Sequence, residues 1–241
     1  VVITGAAGRI GSSLIDNFKD ETDLVLADKK VDGLYVHENE NVTVLELDIL
    51  NKASCLDVCE GADTVIHLAA DPSPSAAYES VKRINIDGTY NMMAAAHEQG
   101  CGRFIFASSI HAVKGYPRDE QVKTGSPVRP LNLYGVSKAF GEALGSYYAY
   151  QTAMEVIAVR IGGFRLLDNM KKEEKRPEPY QRSSYISERD LVQLIDRCVK
   201  AELSRPFEIV HGVSDNAFKY LDLSDTRAKL QYQPKDDGFD V

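Results

Sequence analysis

With 241 residues, 44% of them hydrophobic, the chain has material for one sizeable α/β core and too little for a second large domain. Its formal charge of −8, with no long basic run, argues against a nucleic-acid or anionic-membrane partner. No stretch approaches the ~18 apolar residues of a membrane span, Val1-Val2-Ile3 lacks the flanks of a secretory signal, and the absent initiator Met predicts further residues before Val1. Cys55, Cys59, Cys101 and Cys198 form neither a CxxC pair nor a disulfide framework, which predicts a reduced, cytoplasmic chain. Cys55 and Cys59 share a helix face, but no His or third Cys stands at ligand spacing, so they read as small apolar packing groups and not as metal ligands.

The first element is a strand, 1–3, followed by Thr4-Gly5-Ala6-Ala7-Gly8-Arg9-Ile10-Gly11 and a helix-patterned stretch to Phe18. Gly5 permits a tight turn, Gly8 lets the backbone approach phosphates, and Gly11 allows close packing of helix on strand. The helix start then offers free N–H groups and a positive dipole end to an anion. A second apolar run, 24–27, ends in Asp28, about twenty residues past the turn, where a carboxylate accepts from adenosine ribose hydroxyls. These features predict a bound dinucleotide.

Further strand-length runs at 42–47, 64–68, 104–107 and 156–161 alternate with helical patterns. Such alternation predicts a doubly wound parallel sheet of the Rossmann type, order 3-2-1-4-5-6 with a seventh strand beyond, and a small C-terminal appendage. Ligands then meet residues at the C-terminal strand ends. Asp48 is placed to accept from the adenine amino group and Ile49 to cover the ring, although Asp48 equally suits a helix N-cap. Strand 4 ends in His67-Leu68-Ala69-Ala70, where small residues let a cofactor pass and His67 reads as a half-buried strand residue. The proline-stiffened loop 71–75 precedes a long helix, 76–99, closed by Gly100 and carrying Asn85 in its interior. Strand 5 delivers Ser108, Ser109, Ile110 and His111 to the crevice. The irregular stretch 114–131, rich in Gly and Pro, reads as a lid or binding loop, and Lys171-Lys172-Glu173-Glu174-Lys175-Arg176 as a solvated one.

Tyr134 and Lys138 lie four apart on a predicted helix, so an ammonium can sit near a phenol and favour the phenolate. Tyr78 and Lys82 repeat the spacing. Position decides for Tyr134, because its helix follows the strand that presents Ser108 and Ser109, whereas Tyr78 precedes it.

Taken together, the glycine turn, Asp28, Asp48, Leu68-Ala69-Ala70, Asn85, Ser109 and Tyr134-Gly-Val-Ser-Lys138 resemble the extended short-chain dehydrogenase/reductases, the NAD-dependent epimerase/dehydratase family. Phe106 to His111, Arg129 to Lys138, Val159-Arg160-Ile161-Gly162 and Leu230 to Asp236 are most similar to uronate dehydrogenases. The resemblance implies a single NAD(P)-binding unit over 1–241, with substrate elements mainly from 110–133 and 162–241. It implies oxidation of a sugar hydroxyl or hemiacetal at C1 to a lactone, with NAD as acceptor and no metal. Tyr134 is then the base, Lys138 its partner and ribose anchor, and Ser109 the holder of the reacting oxygen. Arg9, Ile10, Lys29 and Ile161 join the cofactor set, and Ser73, Ile110, His111 and Arg182 the substrate set. A homodimer through the helices 76–99 and 134–151 is implied as well, with Tyr90, Met92, Met93, Tyr147, Tyr148 and Tyr150 available for the outer side. Three departures predict a changed substrate: Ile110 replaces an Asn, Gly163 replaces a Ser and is followed by the bulky Phe164, and Arg182 stands in a shifted register. The rival expectations are a nucleotide-sugar epimerase or dehydratase and a non-catalytic dinucleotide sensor.

Overall fold

The computed structural model describes residues 1–34, 39–164 and 177–240; the stretch 171–176 lies outside them. The chain begins β1 (Val2–Thr4), α1 (Arg9–Phe18), β2 (Leu24–Asp28), β3 (Val42–Glu46), α2 (Lys52–Cys59) and β4 (Thr64–His67). It continues through α3 (Tyr78–Ser80), a π-helical stretch (Val81–Asp87), α4 (Gly88–Glu98), β5 (Arg103–Ser109), a 3₁₀ turn (Ile110–Ala112), α5 (Leu133–Gln151) and β6 (Glu155–Ile161). The remainder is β7 (Gly163–Phe164), α6 (Pro179–Ser183), β8 (Tyr185–Ile186), α7 (Glu188–Lys200), β9 (Phe207–Gly212) and α8 (Ser224–Leu230).

The main sheet is parallel with seven strands in the order β3-β2-β1-β4-β5-β6-β9, so the predicted arrangement holds and β9 is its seventh strand. Strand alternation divides the core between two faces. Val2, Phe104, Phe106, Val156 and Ala158 pack against α2, α4 and α5, while Ile3, Ile105, Ile157, Val159 and Ile161 pack against α1 and α7. Tyr220, Leu221, Leu230 and Tyr232 join the second cluster, which ties the C-terminal segment into the same core. All four cysteines are free and buried, as apolar packing requires.

Three local differences from the expected pattern matter for the site. The long helix before β5 contains a π-helical stretch, and Asn85 sits within it. Met92, Met93 and Tyr148 are buried in the core, leaving Tyr90, Tyr147 and Tyr150 as the exposed aromatics of α4 and α5. The loop 114–131 is pinned rather than free: Val122 N–H donates to Tyr220 O (2.8 Å), Asp222 N–H to Val122 O (2.8 Å) and Tyr220 Oη to Val113 O (3.0 Å).

Candidate active site

A cleft of about 1360 Å³ runs along the C-terminal strand ends, across the switch point between β1 and β4. That exceeds the ~300–1,000 Å³ typical of a drug-sized ligand and suits a two-part occupant. Gly5, Gly8, Arg9, Ile10, Gly11, Asp28, Lys29, Asp48, Ile49, Leu68, Ala69 and Ala70 line one region. Ser108, Ser109, Ile110, His111, Tyr134, Lys138 and Ile161 line the other.

The glycine turn has the geometry a pyrophosphate cradle needs. Gly5 adopts φ 70°, and a Cβ on Gly11 would stand 2.3 Å from Gly5 O, so neither position tolerates a side chain. Asp28 braces the turn, accepting from Ala7 N–H (3.0 Å) and Lys30 N–H (3.3 Å). Two bonds leave lone pairs on its carboxylate for ribose hydroxyls. Asp48 is not the cap of α2; Asn51 is, accepting from Ala53 N–H and Ser54 N–H. Asp48 instead accepts from Leu50 N–H (3.0 Å) and pairs with Lys29 at 3.3 Å. The Leu50 bond, against some burial, and then Lys29 hold its carboxyl below the ordinary value. The residues present therefore fit a dinucleotide.

His67 is structural. Its ring bridges Thr4 Oγ1 (Nδ1, 2.8 Å) and Thr89 Oγ1 (Nε2, 3.4 Å), and burial, with the Lys138 charge, pushes its pKa down to about 3.

At the reacting end, Ser109 closes β5, accepts from His111 N–H (3.2 Å) and lines the cleft, with its own proton free to donate. Asn132 caps α5: its Oδ1 takes Gly135 N–H (2.8 Å), so its Nδ2 faces His111 Nδ1 (2.9 Å). An amide nitrogen only donates, so Nδ1 must accept and Nε2 carries the proton. Burial lowers the His111 pKa to about 4, with Lys114 adding to the fall, which keeps this ring neutral near pH 7. The ring meets Tyr134 edge-on at 5.4 Å. Lys138 is buried, with Nζ 5.4 Å from the Tyr134 ring centre and 5.0 Å from that of Phe106. Burial lowers its pKa to about 8. Burial also raises the Tyr134 phenol, the Ser109 hydroxyl acting the other way and Asp71 adding to the rise. The chain by itself thus keeps the phenol protonated near neutrality, and an added positive charge is what would bring it down. Tyr78, by contrast, is 56% exposed, and Lys82 is exposed too.

Several expected contacts fall elsewhere. Asn85 does not line the cleft: its amide clamps Asp71 N–H (2.8 Å), Asp71 O (3.0 Å) and Ser137 Oγ (3.2 Å), a buried tie between the loop after β4 and α5. Ser73 also lies off the lining, bonded to Ser75 Oγ at 3.1 Å. Arg182 turns away, its Nε donating to Gly238 O (2.8 Å), its Nη2 to Phe239 O, and its guanidinium stacked 4.3 Å from the Phe239 ring. The reason is helical phase: Tyr180 and Ser184, four apart, line the cleft, and a residue midway between them points to the opposite side. Ile110, Gly163 and Phe164, the positions that depart from uronate dehydrogenases, do line it.

Sequence reasoning missed Lys114, Arg118, Glu178, Tyr180 and Gln181 in the lining, and a buried network behind Ser108. There Ser108 Oγ donates to Glu142 Oε1 (2.6 Å), and Arg160 grips the same carboxylate through Nε (2.8 Å) and Nη2 (2.9 Å). Glu142 follows Lys138 by one helical turn, a spacing that could have revealed it.

Comparisons with known proteins agree with this architecture. Residues 1–164 match the model of the NAD dependent epimerase/dehydratase family. The chain is 37% identical to the NAD-dependent glucose-6-phosphate dehydrogenase of Haloferax volcanii, over 99% of this chain and 94% of that protein. It is 34% identical to the L-arabinose 1-dehydrogenase (NAD(P)(+)) of the same organism, over 100% and 98% of the two chains. The crystal structure of a tyrosine-to-alanine mutant of uronate dehydrogenase from Agrobacterium tumefaciens, complexed with NAD, superposes with a TM-score of 0.86 at 29% identity, over 99% of this chain and 85% of that one. A glycine turn, a parallel sheet in this order and relatives aligned end to end leave one assignment: the chain is an enzyme of the NAD-dependent epimerase/dehydratase family, within the extended short-chain dehydrogenase/reductases.

Proposed function

We propose that the protein oxidises the ring form of a small sugar or sugar acid at C1 to the lactone, with NAD as hydride acceptor. One observation carries the reading: a continuous cleft joins the glycine turn and Asp28 to Ser109, Tyr134 and Lys138. The relatives named as glucose-6-phosphate and L-arabinose dehydrogenases support a sugar as substrate. NAD, when bound, supplies the hydride acceptor and a positive ring. Gly5, Gly8, Arg9, Ile10 and Gly11 would hold its pyrophosphate, Asp28 its ribose, Asp48 and Ile49 its adenine, and Leu68, Ala69, Ala70 and Ile161 its flanks.

Tyr134 Oη takes the proton of the C1 hydroxyl, so that the C1–O bond can become a carbonyl, and later returns it to solvent. Ser109 donates to the same oxygen, Lys138 favours the phenolate, and His111 offers a neutral N–H to the sugar. The domain reading follows: one unit over 1–241 with its substrate elements from 110–133 and 162–241. Formation of NADH with aldoses or uronates, and of lactone in equal amount, tests the reaction. NADH formation with none of them would refute it.

NAD should bind at least about tenfold more tightly than NADP, a difference of about 1.4 kcal/mol. Asp28 would repel a 2′-phosphate; of the two lysines that follow it and count against the preference, Lys29 pairs with Asp48 at 3.3 Å, and Lys30 is the remaining cation. Tighter NADP binding in a fluorescence titration would contradict the role of Asp28. The exposed Tyr90, Tyr147 and Tyr150, together with Leu133 and Val136, support a homodimer through α4 and α5. Sedimentation at micromolar concentration should give a dimer, and a monomer would contradict it. Four unpaired, buried cysteines support a reducing, cytoplasmic setting.

A further inference from the structure

The chain is acidic overall, with 36 Asp and Glu against 28 Lys and Arg, yet the rim of the cleft beyond His111 is cationic. Lys114 and Arg118 both line it there. They are also shared with an adjoining cavity of about 300 Å³, which Arg129 borders. The two cations are held on the Tyr180 ring, Lys114 Nζ at 5.8 Å and Arg118 Cζ at 5.0 Å from its centre. Burial lowers the Lys114 pKa, and the charge of Arg118 adds to it, which is the signature of like charges crowded at a half-dry surface. Among the described residues, Lys114 has no ion pair. Arg118 has only Glu178, at 3.9 Å with both side chains 73% exposed, a geometry worth little. Two neighbouring cations beside a sugar-sized space are stabilised by an anion that bridges them. Arg182, the one cation that the resemblance put in the substrate set, is occupied by the carbonyls of Gly238 and Phe239.

We propose that Lys114 and Arg118 form an anion subsite that holds the acidic end group of the sugar, a carboxylate or a phosphate monoester, away from the reacting carbon. The proposal rests on the sugar-oxidation reading and adds the chemical class of the substrate.

The test is calorimetric binding of glucuronate, glucose 6-phosphate and glucose to the NAD-loaded protein, its Lys114→Met and Arg118→Met variants, with thermal melts to verify folding. At least one acidic sugar should bind the unmodified protein more tightly than glucose. Each variant should lose about tenfold or more of that affinity, the scale of one charge-assisted contact, while glucose binding moves less than about twofold. Preference for glucose 6-phosphate assigns the subsite to phosphate, and preference for glucuronate assigns it to carboxylate. Acid binding that is unchanged in both folded variants, or no tighter than glucose in the unmodified protein, would overturn the proposal. Acid binding lost in the variants, in a protein that forms no NADH with any sugar, would leave the subsite standing and refute the oxidation reading instead.

Discussion

Replacing Tyr134 by Phe should lower turnover by about a hundredfold or more, the range for loss of a general base, while NAD affinity stays nearly constant. The substitution removes one oxygen and keeps the ring that packs edge-on against His111 at 5.4 Å. Tyr78→Phe is the matched control, because Tyr78 is exposed and lies outside the cleft lining. Stopped-flow and steady-state rates with the same sugar compare the two. In the unmodified enzyme the rate should climb as pH rises above neutrality, since burial raises the phenol pKa and the basic form is the reactive one. The climb should flatten as Lys138, with a pKa of about 8, loses the charge that favours the phenolate. A pH-independent rate, or a larger loss in Tyr78→Phe, would contradict this assignment.

The largest loss of stability is expected from Arg160→Met. The guanidinium is almost fully enclosed, bound in bidentate fashion to Glu142 at 2.8 and 2.9 Å, and donates to Thr124 O at 3.3 Å. Removing it leaves the Glu142 carboxylate buried with only Ser108 Oγ, at 2.6 Å, as partner. Breaking one side of such a pair costs about 3–5 kcal/mol. For a chain of this size that lowers the melting temperature by on the order of 10 °C. Replacing both partners, Glu142→Leu with Arg160→Leu, should recover much of the loss, because no buried charge remains. Lys52→Ala breaks the exposed Lys52 to Glu98 pair and should leave the melting curve unchanged within error. An Arg160→Met protein that melts with the parent would show that this network contributes nothing to stability.

The features legible in the sequence were those set by local spacing. A glycine turn has to be written within eight residues, Asp28 follows by one helix and one strand, and strand ends deliver Ser109 and the turn 68–70 directly to the switch point. Tyr134 and Lys138 were separable from Tyr78 and Lys82 only through their place in chain order, and the exposure of Tyr78 agrees with that choice. What failed depended on rotation or on partners distant in the chain. Arg182 was misplaced because the five-residue helix Pro179–Ser183 turns it toward Gly238, a contact no local pattern encodes. Asn85 has the polarity of a ligand contact but spends it on Asp71 and Ser137. Lys114 and Arg118 were unreadable because their common support, Tyr180, lies more than sixty positions further along the chain.

The central claim, oxidation at C1 with hydride delivered to NAD, is tested most directly with a sugar that carries deuterium at C1. Mass spectrometry of the cofactor after turnover should show one deuterium in each NADH formed, with unlabelled lactone as the other product. Unlabelled NADH, or recovery of an epimerised sugar that still carries its deuterium, would contradict the account.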